Sequence, residues 1–362
     1  MNVLNKLEKL RRDFLRGDTE SRSRMHWVRW DRVTKPIKSG GLGLDTLHNM
    51  NISLLSKWAW RYKTEPNRLW RSIIKSIHGN FLPSKKGLSG VWNNIIRKEA
   101  TLRDKDINLN NLFKCKVESG AEVQFWTDCW ATDTPFKTRF PALHALEKFK
   151  ACSVLDRIQR SDQNTLNNMT WDWRRVPEDA TELAELNDLI NIVSLAPLSQ
   201  SGETWSWVPD PKGTFSVKSV KKLLHRSSPP IGECCFTWNS WVPRKVNIFG
   251  WRMALDRLPT QVALAHRNIS MSSICCPFCG DKDESMSSIC CPFCGDKDES
   301  AYHLFAECAV SSIVWQMVSS WINTPPIYAF TIEDLLRVHE NIAGSVIVKK
   351  LVQAIVLISC WS

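Results

Sequence analysis

Four residues near the C-terminal end constrain this chain more than any other feature: Cys291-Pro292-Phe293-Cys294, then His303 after eight residues, then Cys308 after four more. Two cysteines bracketing a two-residue turn can present both sulfurs to one ion. A histidine and a cysteine five positions apart on a short helix can complete the tetrahedron, so the C-x2-C-x8-H-x4-C spacing predicts a Zn2+ site. Thiolate and imidazole donors favour zinc over magnesium or calcium, and Gly295 helps the chain turn back after the second cysteine. Ordinary buried cysteines with a core histidine are the competing reading. A redox-active cysteine pair would need a thioredoxin-like βαβ context, which the flanks lack. A closed set of four ligands supplies folding energy and leaves no open position for catalysis.

The same region carries a duplication. Residues 270–284 and 285–299 are identical at every position, so two pairs, Cys276/Cys279 and Cys291/Cys294, compete for one His303 and one Cys308. With 23 residues between Cys279 and His303 against 8 between Cys294 and His303, loop closure favours the nearer pair by only about 1 kcal/mol, roughly fivefold. The nearer pair is expected to bind, with the farther pair as an alternate. Perfect identity reads as a recent duplication rather than a second working finger, and Cys275 and Cys290 as spectators.

Charge is distributed unevenly. The first hundred residues hold 21 basic and 8 acidic side chains, or +13, so the remainder of a chain of net charge +11 carries −2. A one-ended basic field is the footprint of a polyanion binder, because cations that neutralise phosphates release condensed counterions; a solvated basic surface is the bland alternative. Arg11, Arg12, Arg16, Arg22, Arg24, Arg29, Arg32, Lys35 and Lys38 are the candidate nucleic-acid contacts. Trp27 and Trp30 could stack on bases, although 18 tryptophans against 3 tyrosines point first to aromatic packing. No start resembling a secretory signal is present, so the 13 cysteines are expected to meet a reducing compartment, where disulfides are rare. The longest apolar stretch, Ile342 to Trp361, is broken by Lys349, Lys350 and Gln353, and a membrane span is not expected.

Periodicity predicts an α+β, mainly α protein with two β-hairpins and a small zinc-binding helical domain. Val3, Leu7, Leu10 and Phe14 mark an amphipathic basic helix stopped near Gly17, and Met25 to Trp30 alternates as a short strand. Asn51, Leu54, Leu55, Trp58 and Tyr62 share one helical face, and a further helix runs from Leu69 to Ile77. Residues 81–90 read as a linker, followed by a helix over Trp92–Lys98. Phe113–Val117 and Val123–Trp126 flank a Gly120 turn as a first hairpin; Thr204–Val208 and Thr214–Val217 flank Pro209–Gly213 as a second. Helices are expected within 177–190, at Lys218–His225 and at Val246–Leu255, with a linker at Ser227–Pro230. Asp128, Asp133 and Asp172 are scattered, without a catalytic arrangement around them; Asp128 reads as the end of a strand.

The ordered motifs Gly213-Thr214-Phe215-Ser216-Val217-Lys218-Ser219, Trp241-Val242-Pro243-Arg244-Lys245-Val246, Phe249-Gly250-Trp251-Arg252 and Arg257-Leu258-Pro259-Thr260, leading into Cys291-Pro292-Phe293-Cys294, His303-Leu304-Phe305, Cys308 and Val314-Trp315, resemble the zinc-binding domain of plant LINE-type (non-LTR) retrotransposon reverse transcriptases. Upstream, His26-Trp27-Val28, Gly40-Gly41-Leu42-Gly43, Lys57-Trp58-Ala59-Trp60-Arg61 and Phe125-Trp126-Thr127-Asp128-Cys129-Trp130 are similar to the segment joining polymerase to that domain. The resemblance implies a basic helical post-polymerase region over 1–80, a connector with a hairpin over 81–212, the zinc-binding domain over 213–322 and a truncated helical tail over 323–362. It further implies Zn2+, RNA or DNA as partner, association with the polymerase portion of a retroelement protein, and a nuclear location, with the cytoplasm as the alternative. No small-molecule substrate or membrane partner is expected. The polymerase of that family uses an adjacent aspartate pair to hold Mg2+. No Asp-Asp occurs in this chain, so polymerisation by this chain alone is not expected. The alternative is a structural or protein-interaction zinc module in a retroelement relic.

Overall fold

The computed structural model describes residues 3–18, 24–78, 90–93, 95, 102, 107–159, 168–196, 203–226, 236–269, 290–295 and 297–362. The described residues are mainly helical, with two separate two-stranded antiparallel sheets. The linkers at 81–90 and 227–230 lie outside them except for Gly90, as do most of Trp92–Lys98, Arg22, and Cys275, Cys276 and Cys279. Among the described residues, no helix is long and apolar enough to cross a membrane.

Two compact units emerge, one of residues 46–229 and one that joins residues 1–45 to 230–362. In the second of them, Val33 shares a core with Val246, Met253, Leu335, Val352 and Leu357, and the Trp251 indole N–H donates to the Gly40 carbonyl at 2.9 Å. The N-terminal segment therefore completes the core of the C-terminal region, and residues 323–362 belong to that core. The helices Arg244–Ala254 and Val346–Trp361 pack against each other around Gly250, where a Cβ would stand 2.6 Å from Phe236 Cε2 and 2.7 Å from Leu357 Cδ2. Gln353, which interrupts the apolar run, is itself buried and bonded: its amide donates to the Thr237 carbonyl and accepts from Asn239.

In the unit of residues 46–229, Thr46 caps the helix Leu47–Thr64. The face that packs beside the helix Val217–Arg226 carries Ile52 and Ala59, which share a core with Val220 and Leu224. The expected face is used only in part: Leu55 and Tyr62 join Trp70, Ile74, Trp92 and Ile95 in a second cluster, while Leu54 stays half exposed. The expected helix near 177–190 runs over Ala180–Leu195, opened by an Asp179/Glu182 capping box, and buries Leu189 and Val193.

The strand partners differ from those expected. Phe113–Lys116 pairs with Thr204–Trp207 in the register Phe113↔Trp207, and Ile158–Gln159 with Asn168–Met169. Val123, Phe125 and Trp126 are all fully buried, which removes the one-face-wet alternation an isolated hairpin strand requires. The Gly120 turn forms with φ +73°, but its N–H donates to Glu203 at 2.9 Å and its carbonyl accepts from Leu155. In the second expected hairpin the Pro209–Gly213 turn closes on Trp207, yet the chain then enters the helix Val217–Arg226, with the Ser216 hydroxyl accepting from the Ser219 N–H. Met25 to Arg29 is not a strand, and a short helix begins at Trp30. Its carbonyls are occupied by guanidiniums instead of a ladder, Arg267 on His26 and Arg16 on Val28.

Candidate metal centre and basic groove

The ligand atoms of Cys291, Cys294, His303 and Cys308 all lie within 4.8 Å of one another, and Cys294 Sγ is 3.2 Å from His303 Nε2. Tetrahedral bonds of about 2.3 Å to sulfur and about 2.0 Å to nitrogen place such atoms about 3.5–3.8 Å apart. Two local devices assemble the set. Gly295, at φ +71°, donates its N–H to the Cys291 carbonyl, and the Phe293 N–H points at Cys291 Sγ, so the Cys-Pro-Phe-Cys turn closes on itself.

On the other side, His303–Glu307 forms a π-helical turn in which the Cys308 N–H donates to the His303 carbonyl at 2.8 Å. In an α-helix, residues five apart diverge by about 140° around the axis; the wider π-turn closes over five residues and brings them together. The spacing anticipates that these four side chains come together, but not this turn. Cys291 and Cys308 are fully buried and His303 nearly so. His303 Nδ1 is buried without a hydrogen-bond partner, and burial pushes the Cys291 thiol up to about 11. These donors fit a metal that displaces thiol protons.

Of the candidate nucleic-acid contacts, Arg12, Arg16, Arg29 and Arg32 line one groove of about 860 Å³. The lining also includes Arg257 and Arg267, which neither local charge density nor spacing in the sequence singles out. Arg11 lies outside the lining, bonded to the Asp45 carbonyl and Glu8, and Arg24, Lys35 and Lys38 do not line it. Trp27 and Trp30 do, with Arg267 4.4 Å over the Trp27 ring and the Trp30 indole N–H on Glu8. Burial and the neighbouring Arg12 hold the Arg16 guanidinium below its ordinary pKa.

Glu299 lies between metal site and groove: its carboxylate accepts from the Gln261 N–H and its carbonyl from the Val262 N–H, at the start of the helix whose following turn holds Arg267. The scattered aspartates are all ion-paired: Asp128 with Lys63, both buried, at 2.5 Å, Asp133 with Lys114, and Asp172 with Lys148. Asp128 sits in a turn, its carboxylate accepting from the Gln124 N–H, not at a strand end.

Residues 215–290 match the family model described as zinc-binding in reverse transcriptase. The match takes in the first copy of the duplicated segment, ends within the second and stops one residue before Cys291, so the four clustered side chains lie just beyond it. A protein of Arabidopsis thaliana named "Putative ribonuclease H protein" is 27% identical over 285 residues, 76% of this chain and 43% of its own length. An uncharacterized mitochondrial protein of the same plant is 25% identical over 148 residues, 39% of this chain and 90% of its own. The chain thus spans less than half the length of the first of these relatives. No solved structure matches it. Taken with the Cys3His cluster, the match shows that this chain carries a zinc-binding domain of the reverse-transcriptase family.

Proposed function

We propose that the chain is a nucleic-acid-binding part of a retroelement reverse transcriptase, in which Zn2+ held by Cys291, Cys294, His303 and Cys308 has a structural role. The convergence of three thiols and an imidazole, with Cys291, His303 and Cys308 buried and Cys294 partly so, carries the reading. Three thiolates and an imidazole select zinc over hard cations, and a full set of protein ligands leaves no position for a reacting water. The ion would fix the loop over 290–308, and Glu299 in that loop anchors the helix Gln261–Ala265 that precedes Arg267. Chain chemistry is then electrostatic: guanidiniums neutralise phosphate, with no bond made or broken.

Such binding weakens steeply with salt. With six groove arginines and a slope of about 0.7 per phosphate contact on a single strand, affinity for an oligonucleotide is expected to fall roughly three-hundredfold between about 50 and 200 mM salt. Filter-binding isotherms at the two salt concentrations check this, and superimposable curves would remove the nucleic-acid reading.

A further inference from the structure

The groove is built from two parts of the sequence far apart in the chain. Arg12, Arg16, Arg29 and Arg32 come from the N-terminal segment, Arg257 from the turn after the helix Arg244–Ala254, and Arg267 from the turn after Gln261–Ala265. The turn before Arg257 passes through Asp256 at φ +52°. Six guanidiniums face one lining carboxylate, Asp31, which is already paired with Arg29 at 3.0 Å. Arg257 and Arg267 are exposed and donate only to backbone carbonyls, of Asp256 and His26, with no carboxylate at ion-pair distance among the described residues. Arg32 buries an Nε without an acceptor. Cations so gathered, with a single carboxylate in the lining, are complementary to a chain of phosphates.

Size and surface chemistry narrow the ligand. A concavity of about 860 Å³ falls in the range of small-ligand sites, about 300–1,000 Å³. It can take a few nucleotide units of one strand, whereas a duplex presents a rigid rod with a major groove about 12 Å wide. The Trp27 indole with the Arg267 guanidinium over its ring offers planar surface on which an unpaired base can stack.

Resting on the nucleic-acid reading above, we propose that this groove binds the phosphodiester backbone of a single-stranded nucleic acid, with Arg257 and Arg267 as phosphate contacts opposite the N-terminal arginines. Fluorescence anisotropy with a short labelled oligothymidylate, and with a duplex of the same length, tests it on four proteins: wild type, Arg257→Ala/Arg267→Ala, Arg257→Ala, and Lys6→Ala/Lys9→Ala. The lysine pair is exposed, lies in the same unit outside the groove, and removes the same charge.

The arginine pair is expected to weaken single-strand binding about tenfold or more and to make the salt slope shallower by about 1.4, the lysine pair to do neither. Arg257→Ala alone, at an exposed site, is expected to show half the slope change with an unaltered melting temperature. It decides the matter should the pair destabilise the fold. If the arginine and lysine pairs weaken binding equally, the groove assignment is overturned while nucleic-acid binding stands. Duplex affinity falling as much as single-strand affinity overturns the single-strand assignment, and failure of wild type to bind either probe overturns both readings.

Discussion

Replacing His303 by alanine is expected to abolish metal binding, whereas Cys291→Ser leaves a weakened site. The asymmetry follows from the duplication. His303 and Cys308 occur once, but the Cys-Cys-Pro-Phe-Cys segment occurs twice, so loss of the nearer pair leaves Cys276 and Cys279 as chemically identical substitutes. Closing the longer loop costs about 1 kcal/mol more, or roughly fivefold in affinity. Structural zinc is worth about 10–16 kcal/mol in small zinc-dependent folds, against a typical domain stability of about 5–15 kcal/mol, so a fivefold loss is tolerated and a missing shared ligand is not.

Chelator-competition titrations of purified variants separate the cases. His303→Ala, Cys308→Ser and the double variant Cys276→Ser/Cys291→Ser should all fail to retain zinc. Cys276→Ser should match wild type, with Cys291→Ser about fivefold weaker. Greater damage from Cys276→Ser than from Cys291→Ser would mean that the upstream pair is the resident one.

The second large effect lies in the unit of residues 46–229. Glu147 is fully buried and accepts from the Trp126 indole N–H at 3.1 Å and from Arg157 Nε and Nη2 at 3.1 and 2.7 Å. Glu147→Ala leaves the Nε and Nη2 of a buried guanidinium and an indole N–H without their carboxylate acceptor, at a cost of about 3–5 kcal/mol. For a unit of this size that is a fall in melting temperature of roughly 6–20 °C. Lys114→Ala breaks the exposed, solvent-screened pair with Asp133 and should leave the melting temperature nearly unchanged. Differential scanning calorimetry of both variants checks the contrast, and equal shifts would show that the Glu147 network is not what holds this core.

What the sequence made legible was local. The helices at Val3–Arg16, Val217–Arg226 and Arg244–Ala254 follow from apolar spacing that one turn of chain can satisfy. The convergence of Cys291, Cys294, His303 and Cys308 follows from spacings short enough for geometry to decide. Long-range choices were not legible. Phe113–Lys116 alternates well enough to pair with any nearby strand, and only the burial of Val123–Trp126 on all sides hands it to Thr204–Trp207. The return of residues 1–45 to the C-terminal core depends on single contacts such as Trp251 to Gly40, which leave no periodic trace. Arg257 and Arg267 join the groove for the same reason: position, not composition, made them partners of Arg12 and Arg16. The π-turn at His303 could be sensed only in that five residues is an awkward α-helical spacing for two ligands of one ion.

Elemental analysis of the wild-type protein after dialysis against metal-free buffer tests the central claim most directly. One zinc per chain is expected, released by chelator together with cooperative loss of circular dichroism signal. No zinc, or two per chain, or a spectrum indifferent to chelator, would contradict a single structural ion held by Cys291, Cys294, His303 and Cys308.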